Sequence, residues 1–475
     1  MRMRFRFAGF MPREYYARWL FPKIFARRSW PRIRATFAGT VPRVASEPRP
    51  LKQRLLEVAF VAAPKFLTGA LTVALNAALL RYLGPSEYGV FALCAAAIVL
   101  FDSIVGAAVD NSMFKLVQAE RHLGAAHGLA IQRSALAVKA LLWVAGCAVV
   151  GAFAGEVSRR WFHQEGREGL MGLVLLAAGC VLVFRSLLAH WQMRERFLAY
   201  GGIDLTHTFL KFGSIAALLA MAGRAEVETL VGLLALAPAV VVAGAFVAGA
   251  FPLLPLRPDG AGMRRVAGEA RWFLLTYGLS VVLSRLDLFL LAALSTIEEV
   301  GIYSGGQVFA VIPEMVGSLL SVVFVPRIYA FWRAGRLAAH GRTLALAGIA
   351  LAAAVMGAAW LARPALAAIF PPAFQSSLAV FLILLPGYLG SMVAFPLVIP
   401  FLMFASPRAI FVLDVVTLPA VVALYAWLIS THGAVGMAWA ATLTRLAKVA
   451  AMHAIAWRVL RRMPTPPAGA AGTPA

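Results

Sequence analysis

Long apolar stretches alternate with short polar breaks over most of the chain. Runs of this kind are typical of membrane-crossing helices, because a hydrocarbon core of ~30 Å needs about 20 helical residues. Prolines inside some runs fit this interpretation, since neighbouring helices can satisfy the backbone groups that a proline frees. The pattern predicts twelve spans, at about 55–80, 87–110, 130–154, 169–192, 199–222, 228–250, 271–294, 300–325, 343–363, 376–403, 408–430 and 434–458.

One polar elbow occurs twice between apolar runs. The first copy reads Arg81-Tyr-Leu-Gly-Pro-Ser-Glu-Tyr-Gly89 and the second Ser295-Thr-Ile-Glu-Glu-Val-Gly-Ile-Tyr303, at an offset of 212 residues. A Gly-Pro turn reverses the chain because proline fixes φ and glycine adopts conformations that other residues resist. Each elbow is therefore predicted to be a tight hairpin between two membrane helices.

The repeat extends beyond the elbows. Met193, Asp204 and Gly223 match Met403, Asp414 and Gly433 at an offset of 210 residues. Six spans per half keep the orientation, so the pattern favours a parallel internal repeat; chance similarity among Leu/Ala/Gly-rich helices is the alternative. The predicted units are an extension (1–54), a six-helix bundle (55–250), a cytoplasmic linker (251–270), a second bundle (271–460) and a tail (461–475).

Composition excludes a soluble protein. Hydrophobic residues make up 61% of the chain and charged residues 14%, with a mean hydropathy of +0.81. A soluble core could not hide so much apolar surface. Cys94, Cys147 and Cys180 lie within apolar runs and are predicted to be small buried hydrophobes rather than a disulfide or zinc set. We predict no metal and no cofactor.

The net charge of +23 is distributed unevenly between the loops. With both termini cytoplasmic, the inner loops hold fourteen Lys and Arg residues and the outer loops six. Basic loops face the cytoplasm in membrane proteins. Residues 1–54 carry fourteen Lys and Arg against two Glu, which favours a cytoplasmic tail near anionic lipid over an organelle transit peptide. We therefore predict a bacterial inner-membrane protein, and no nucleic-acid partner.

Several motifs resemble one transporter family. They are Arg81-x-Leu-Gly-Pro-x-x-Tyr-Gly89, Ser284-Arg-Leu-Asp287, Val300-Gly-Ile-Tyr303, Val325-Pro326 and His432-Gly-Ala-Val-Gly-Met-Ala-Trp-Ala440. Together they resemble the polysaccharide exporter and O-antigen flippase (Wzx-like) family of the multidrug/oligosaccharidyl-lipid/polysaccharide (MOP) superfamily. The resemblance implies two six-helix bundles in a V around a central cavity, which move a polyprenyl-diphosphate-linked glycan to the outer leaflet for surface polysaccharide.

A polar stripe in the fifth span is the clearest candidate site. Asp204, His207 and Lys211 are spaced i, i+3 and i+7, so they share one helix face. Charges at membrane depth are costly and mark function by default. Lys211 is a candidate for binding substrate charge, and Asp204 or His207 for proton coupling; a structural hydrogen-bond cluster is the alternative.

Five more charges lie within predicted spans. Arg285 and Asp287 are two residues apart and point to different faces, so we do not expect them to pair. Arg285 is a second candidate for substrate binding, and Asp287 is a cavity acid or a structural contact. Lys65 and Glu314 each follow a proline: Lys65 is a candidate for the diphosphate, and Glu314 carries a coupling proton or neutralises Arg285. Arg185 lies near enough to the inner end of the fourth span to reach the interface.

Enzyme functions find little support. The chain has no Gly-rich phosphate loop, no His-Glu-x-x-His run and no Gly-x-Ser-x-Gly elbow. The alternatives to a flippase are an ion-coupled drug antiporter of the same superfamily, or an integral-membrane polysaccharide polymerase. The lysines and arginines within spans favour an anionic substrate. The flippase reading implies a lipid-linked oligosaccharide and membrane lipid as partners, a proton or sodium gradient, and a separate polymerase and glycosyltransferases.

Overall fold

The chain folds into helices joined by short connections. The computed structural model describes residues 51–162, 166–194, 196–223, 225–254, 256, 259–317, 337–368, 370–394, 398 and 407–462. The helices are α1 (Leu51–Tyr82), α2 (Pro85–Phe101), α3 (Ala107–Ala119), α4 (Ala125–Ala152), α5 (Ala154–Val157), α6 (Glu168–Met193), α7 (Phe197–Ala222), α8 (Val227–Val247), α9 (Gly260–Leu294), α10 (Ile297–Ala310), α11 (Leu337–Leu361), α12 (Arg363–Ala367), α13 (Gln375–Ala394) and α14 (Pro407–Arg462).

Each predicted span coincides at least in part with a helix. Within the described residues, eight helical segments are long and apolar enough to cross a membrane. They are α2 together with α3, then α4, α6, α7, α8, α11, α13 and α14. The long α14 contains the last two predicted spans, while α1, α9 and α10 contain the first, seventh and eighth. The predicted all-helical membrane fold is confirmed.

Both elbows are tight hairpins, but the first one does not use the special conformation expected of its glycine. Gly84 has an ordinary φ of −69°, and Pro85 occupies the first turn of α2, where the missing N–H leaves no bond unmade. In the second elbow the Thr296 hydroxyl accepts a hydrogen bond from the Glu299 N–H at 3.3 Å and starts α10. Proline and a side-chain cap therefore start equivalent helices.

The two elbows meet where α2 crosses α10. A Cβ atom added to Gly89 would overlap the carbonyl oxygen of Ile297 and lie 2.9 Å from the Gly301 nitrogen. A Cβ atom added to Gly301 would overlap the carbonyl oxygen of Pro85. Ile297 and Gly301 follow Pro85 and Gly89 by the repeat offset of 212 residues, so the contact is symmetric. Only glycine allows two backbones to approach this closely.

Equivalent helices pack in equivalent ways around this crossing. Helix α2 contacts α6 and α8, while α10 contacts α13 and α14. These helices share one core, in which Tyr88, Tyr303 and Tyr388 are fully buried. We name the end of the bundle that contains the two elbows the hairpin end.

The opposite end, which we name the basic end, joins the halves through α9. This helix begins at Gly260, because both carboxylate oxygens of Asp259 accept hydrogen bonds from the first N–H groups at 3.1 and 3.0 Å. The linker predicted at 251–270 is therefore largely helical. Val266 and Ala270 of α9 are fully buried among apolar residues of α3 and α4.

Two ion pairs accompany this contact. Lys115 Nζ lies 2.6 Å from Glu269 Oε2, and Arg265 pairs with Glu120. Lys115, predicted to be in a loop, lies on α3. The halves thus touch at both ends of the bundle.

Gly223 and Gly433, which the repeat matched, are both left-handed breaks at the hairpin end. Gly223 ends α7 with φ 61°, and Gly433 kinks α14 with φ 54°. After the kink, the Ala434 N–H donates to Glu299 Oε2 at 2.6 Å, so Glu299 caps the second segment of α14. The shared glycine therefore has a shared backbone role.

We expect Gly433→Ala to destabilise the protein more than Gly223→Ala. Both substitutions force a Cβ atom into left-handed backbone, at about 1–2 kcal/mol. At Gly433 the new atom would also lie 2.8 Å from Glu299 Oε2, whereas nothing lies within 4 Å at Gly223. Thermal unfolding of both variants in detergent measures the difference. Equal midpoints would show that the Glu299 cap contributes nothing.

Candidate functional site

The polar stripe of α7 forms part of a charged cluster in the N-terminal half. Arg185 Nε on α6 donates to Asp102 Oδ2 at 3.3 Å. Next to Arg185, the Phe184 ring packs against His207 with centroids 4.3 Å apart. Asp204 is within electrostatic range of both Arg185 and Lys211. We name this set, Asp102, Arg185, Asp204, His207 and Lys211, the N-half cluster.

Lys211 differs from the other cations of the cluster in its partners. It is half-buried, and its Nζ lies 4.5 Å from the centroid of the Phe212 ring. Arg185 has Asp102 at ion-pair distance, but no described carboxylate lies within 4.0 Å of Lys211. A cation held by an aromatic face in the membrane keeps its N–H groups available to an anion.

Asp287 is the most enclosed of the predicted acids in the C-terminal half. Its side chain is 5% exposed, and Oδ2 accepts hydrogen bonds from the Tyr303 hydroxyl at 2.7 Å and from Gln307 Nε2 at 2.9 Å. Oδ1 accepts from the Leu288 N–H at 2.8 Å. Arg285 points elsewhere, as the two-residue spacing predicted. Within the described residues Arg285 is half-buried and has no carboxylate at ion-pair distance.

Glu314 pairs with a residue that the sequence reasoning missed. Arg445 NH1 of α14 lies 2.9 Å from Glu314 Oε2, and its other terminal nitrogen donates to the Tyr388 hydroxyl at 3.1 Å. The guanidinium carbon also lies 4.0 Å from the centroid of the Tyr388 ring. Glu314 thus neutralises Arg445 and not Arg285, which was the partner considered from sequence.

Two further buried ion pairs were also missed. Lys139 on α4 is 1% exposed, with its Nζ 2.7 Å from Asp110 Oδ1 and 2.9 Å from Ser186 Oγ. Asp414, for which the sequence suggested no role, pairs with Lys448 at 2.6 Å. One signal was available: Asp102 and Glu314 are separated by the repeat offset of 212, which marks them as equivalent acids. Their basic partners come from non-equivalent helices and share no such offset.

Lys211 and Arg285 lie at similar depth in opposite halves. At 1.5 Å per helical residue, Lys211 is about 16 Å from Ala222 and Arg285 about 14 Å from Leu294, both at the hairpin end. A hydrocarbon core is ~30 Å thick, so both cations lie near its middle. Lys65 lies on α1, and its side chain is outside the described residues.

Known transporters share this fold. No protein-family model and no curated protein sequence matches the chain. The lipid II flippase MurJ in an inward closed conformation superposes with a TM-score of 0.67 at 10% identity, over 84% of this chain and 88% of that chain. An inward-facing multidrug resistance MATE transporter of the MOP superfamily gives 0.59 at 13% identity, over 83% and 96%. The bent form of the Vibrio cholerae MATE transporter VcmN gives 0.53 at 11%, over 86% and 97%.

These likenesses show the fold and leave the substrate open. The predicted MOP superfamily architecture is confirmed, and its similar structures are flippases and transporters. The Wzx-like branch within that superfamily remains a prediction.

Proposed function

We propose that this protein is a flippase for a lipid-linked, diphosphate-bearing oligosaccharide, which it moves across the bacterial inner membrane for surface polysaccharide. It performs no chemistry on the substrate and works by alternating access between its two halves. The shared fold with a lipid II flippase supports this class of transport. The motifs of the Wzx-like family support a glycan-bearing lipid as substrate.

One observation carries the proposal: each half places a cation near mid-membrane without a described carboxylate at ion-pair distance. The other described intramembrane cations, Arg185, Lys139, Arg445 and Lys448, each lie against an acid. Lys211 and Arg285 therefore leave positive charge where a diphosphate group must pass. An exporter of cationic drugs needs the opposite arrangement, with acids that lack basic partners.

The basic end of the bundle is the cytoplasmic end in this proposal. Lys115, Arg264, Arg265 and Arg271 cluster there, and basic residues favour the cytoplasmic side. The hairpin end then faces the periplasm. Substrate would be loaded from the basic end and released at the hairpin end.

Asp287 is our candidate for coupling to a proton or sodium gradient. It is a buried carboxylate held by a hydroxyl, an amide and a backbone N–H, with no described cation at ion-pair distance. Glu314 would first have to leave Arg445, and Asp204 interacts with the cations of the N-half cluster. Asp287 therefore needs the least rearrangement to exchange a cation.

We expect Lys211→Ala and Arg285→Ala each to lower the rate of substrate flipping at least tenfold. A hydrogen bond to a charged group contributes about 1.5–3 kcal/mol, and 1.4 kcal/mol is a factor of ten. The assay uses proteoliposomes with a fluorescent polyprenyl-diphosphate disaccharide and a membrane-impermeant quencher. Arg458→Ala, at an exposed arginine of the basic end, is the matched control and should flip normally.

Wild-type rates in both variants would remove the site from the proposal. A wild-type protein that leaves the lipid in place but exchanges a cationic drug for protons would establish the antiporter alternative instead.

A further inference from the structure

A cavity opens at the basic end, away from both charged clusters. Its volume is about 390 Å³, within the range of small-ligand pockets. It lies between Leu116 of α3 and the first turns of α9, and is lined by Leu116, Arg264, Arg265, Gly268, Glu269 and Arg271. The cavity therefore lies at the seam between the two halves.

Three of the lining residues share one face of α9. Gly268 and Arg271 follow Arg264 by four and seven residues, so all three lie within about 60° around the helix. Nothing lies within 4 Å of the position that a Gly268 Cβ atom would occupy. The missing side chain leaves an open slot between two guanidinium groups.

The charge of the cavity is positive even after its internal pairs are counted. Arg265 is bound to Glu120 and Lys115 to Glu269, so both carboxylates at the seam already have a basic partner. Arg264 donates its Nε to the Gly260 carbonyl at 3.3 Å, and its terminal nitrogens make no hydrogen bond to a described residue. An arginine of this kind suits the paired oxygens of a phosphate.

The depth of the cavity matches the headgroup layer. Arg271 is about 35 Å from Leu294 along α9 and Arg264 about 45 Å, just beyond a ~30 Å hydrocarbon core. Toward the membrane centre the same helix face continues with Leu275, 63% exposed, and Val282, 41% exposed. A phosphate in the slot would thus have apolar surface below it for acyl chains.

We infer that this cavity binds the phosphate headgroup of an anionic phospholipid from the leaflet at the basic end. Basic pockets between membrane helices recognise such headgroups. Because α3 belongs to one half and α9 to the other, a bound lipid bridges the halves and favours the conformation in which this end is closed. The inference is independent of the transported substrate.

Two substitutions test the site without touching the charged clusters. Arg264→Gln removes a phosphate ligand, and Gly268→Leu fills the slot without changing any charge. Gly268→Leu also replaces glycine by a better helix former, so it should fold. The matched controls are Arg458→Gln, at an exposed arginine elsewhere on the basic end, and Gly357→Leu, at an exposed helical glycine of α11 with open space around it.

The measurement is binding of fluorescent phosphatidylglycerol to the full-length protein, with phosphatidylcholine as the neutral comparison. We expect preference for phosphatidylglycerol in the wild type and both controls, and at least fivefold weaker binding in Arg264→Gln and in Gly268→Leu. Unchanged binding in both test variants, or equal binding of the two lipids, would overturn the inference. So would displacement by inorganic diphosphate at equal concentration, since that identifies a site for free phosphate groups.

Discussion

Gly301→Ala is expected to abolish closure of the hairpin end while leaving each half folded. The new methyl group would overlap the carbonyl oxygen of Pro85, a backbone atom that no rotamer change can move. The helices must separate, at about 1–3 kcal/mol for an overpacked contact. That cost shifts the equilibrium between closed and open forms about 5- to 150-fold. Gly89→Ala should act alike, because its methyl group would meet the Ile297 carbonyl.

Disulfide trapping between the elbows measures this shift. Cysteines introduced at Ser86 and Glu298, which the repeat makes equivalent, should cross-link efficiently in the wild-type background and poorly with Gly301→Ala. Gly84→Ala is the matched control, since nothing lies within 4 Å of its Cβ position. Equal cross-linking in the Gly301→Ala and Gly84→Ala backgrounds would show that the glycine crossing does not govern closure.

Lys139→Ala is expected to be the most destabilising single change in the N-terminal half. It leaves Asp110 beside a buried space with no basic partner, and removing one member of a buried ion pair costs about 3–5 kcal/mol. Neutralising both members, with Lys139→Met and Asp110→Asn together, should recover much of the loss because no uncompensated charge remains.

Lys115→Ala is the comparison. Its pair with Glu269 has the same chemistry but is 45% and 36% exposed, and pairs of that kind contribute about 0.2–1 kcal/mol. Thermal midpoints of the three proteins in detergent give the order directly. If Lys115→Ala proves as destabilising as Lys139→Ala, the burial argument fails.

The sequence predicted the fold well because apolar length and elbow chemistry are local signals. The offset of 212 residues predicted which elbows correspond, and the structure adds that Gly89 and Gly301 of those elbows touch. Sequence could not show this contact, since a glycine needed for close approach looks like one needed for a turn. The start of α9 was missed for a related reason: Asp259 follows a proline-rich stretch that indicates a loop, yet its carboxylate caps a helix.

The site was predicted less completely. The α7 stripe was found because helical spacing places Asp204 and Lys211 on one face. Arg445, Lys139 and Lys448 were missed because each pairs with an acid on another helix or across the kink of α14. Such pairs depend on which helices neighbour each other, and one sequence without relatives does not give that. The predicted roles of Lys65, Lys211, Arg285, Arg185 and the four coupling candidates remain to be measured.

The most direct test of the central claim is complementation in the native host. The gene is deleted, and surface polysaccharide and lipid-linked repeat units on each leaflet are measured with wild type, Lys211→Ala, Arg285→Ala or Arg458→Ala restored at equal protein levels. The account predicts that repeat units accumulate on the cytoplasmic leaflet, that wild type and Arg458→Ala relieve this, and that the other two variants do not. Normal polysaccharide in the deletion strain, with altered drug sensitivity, would contradict it.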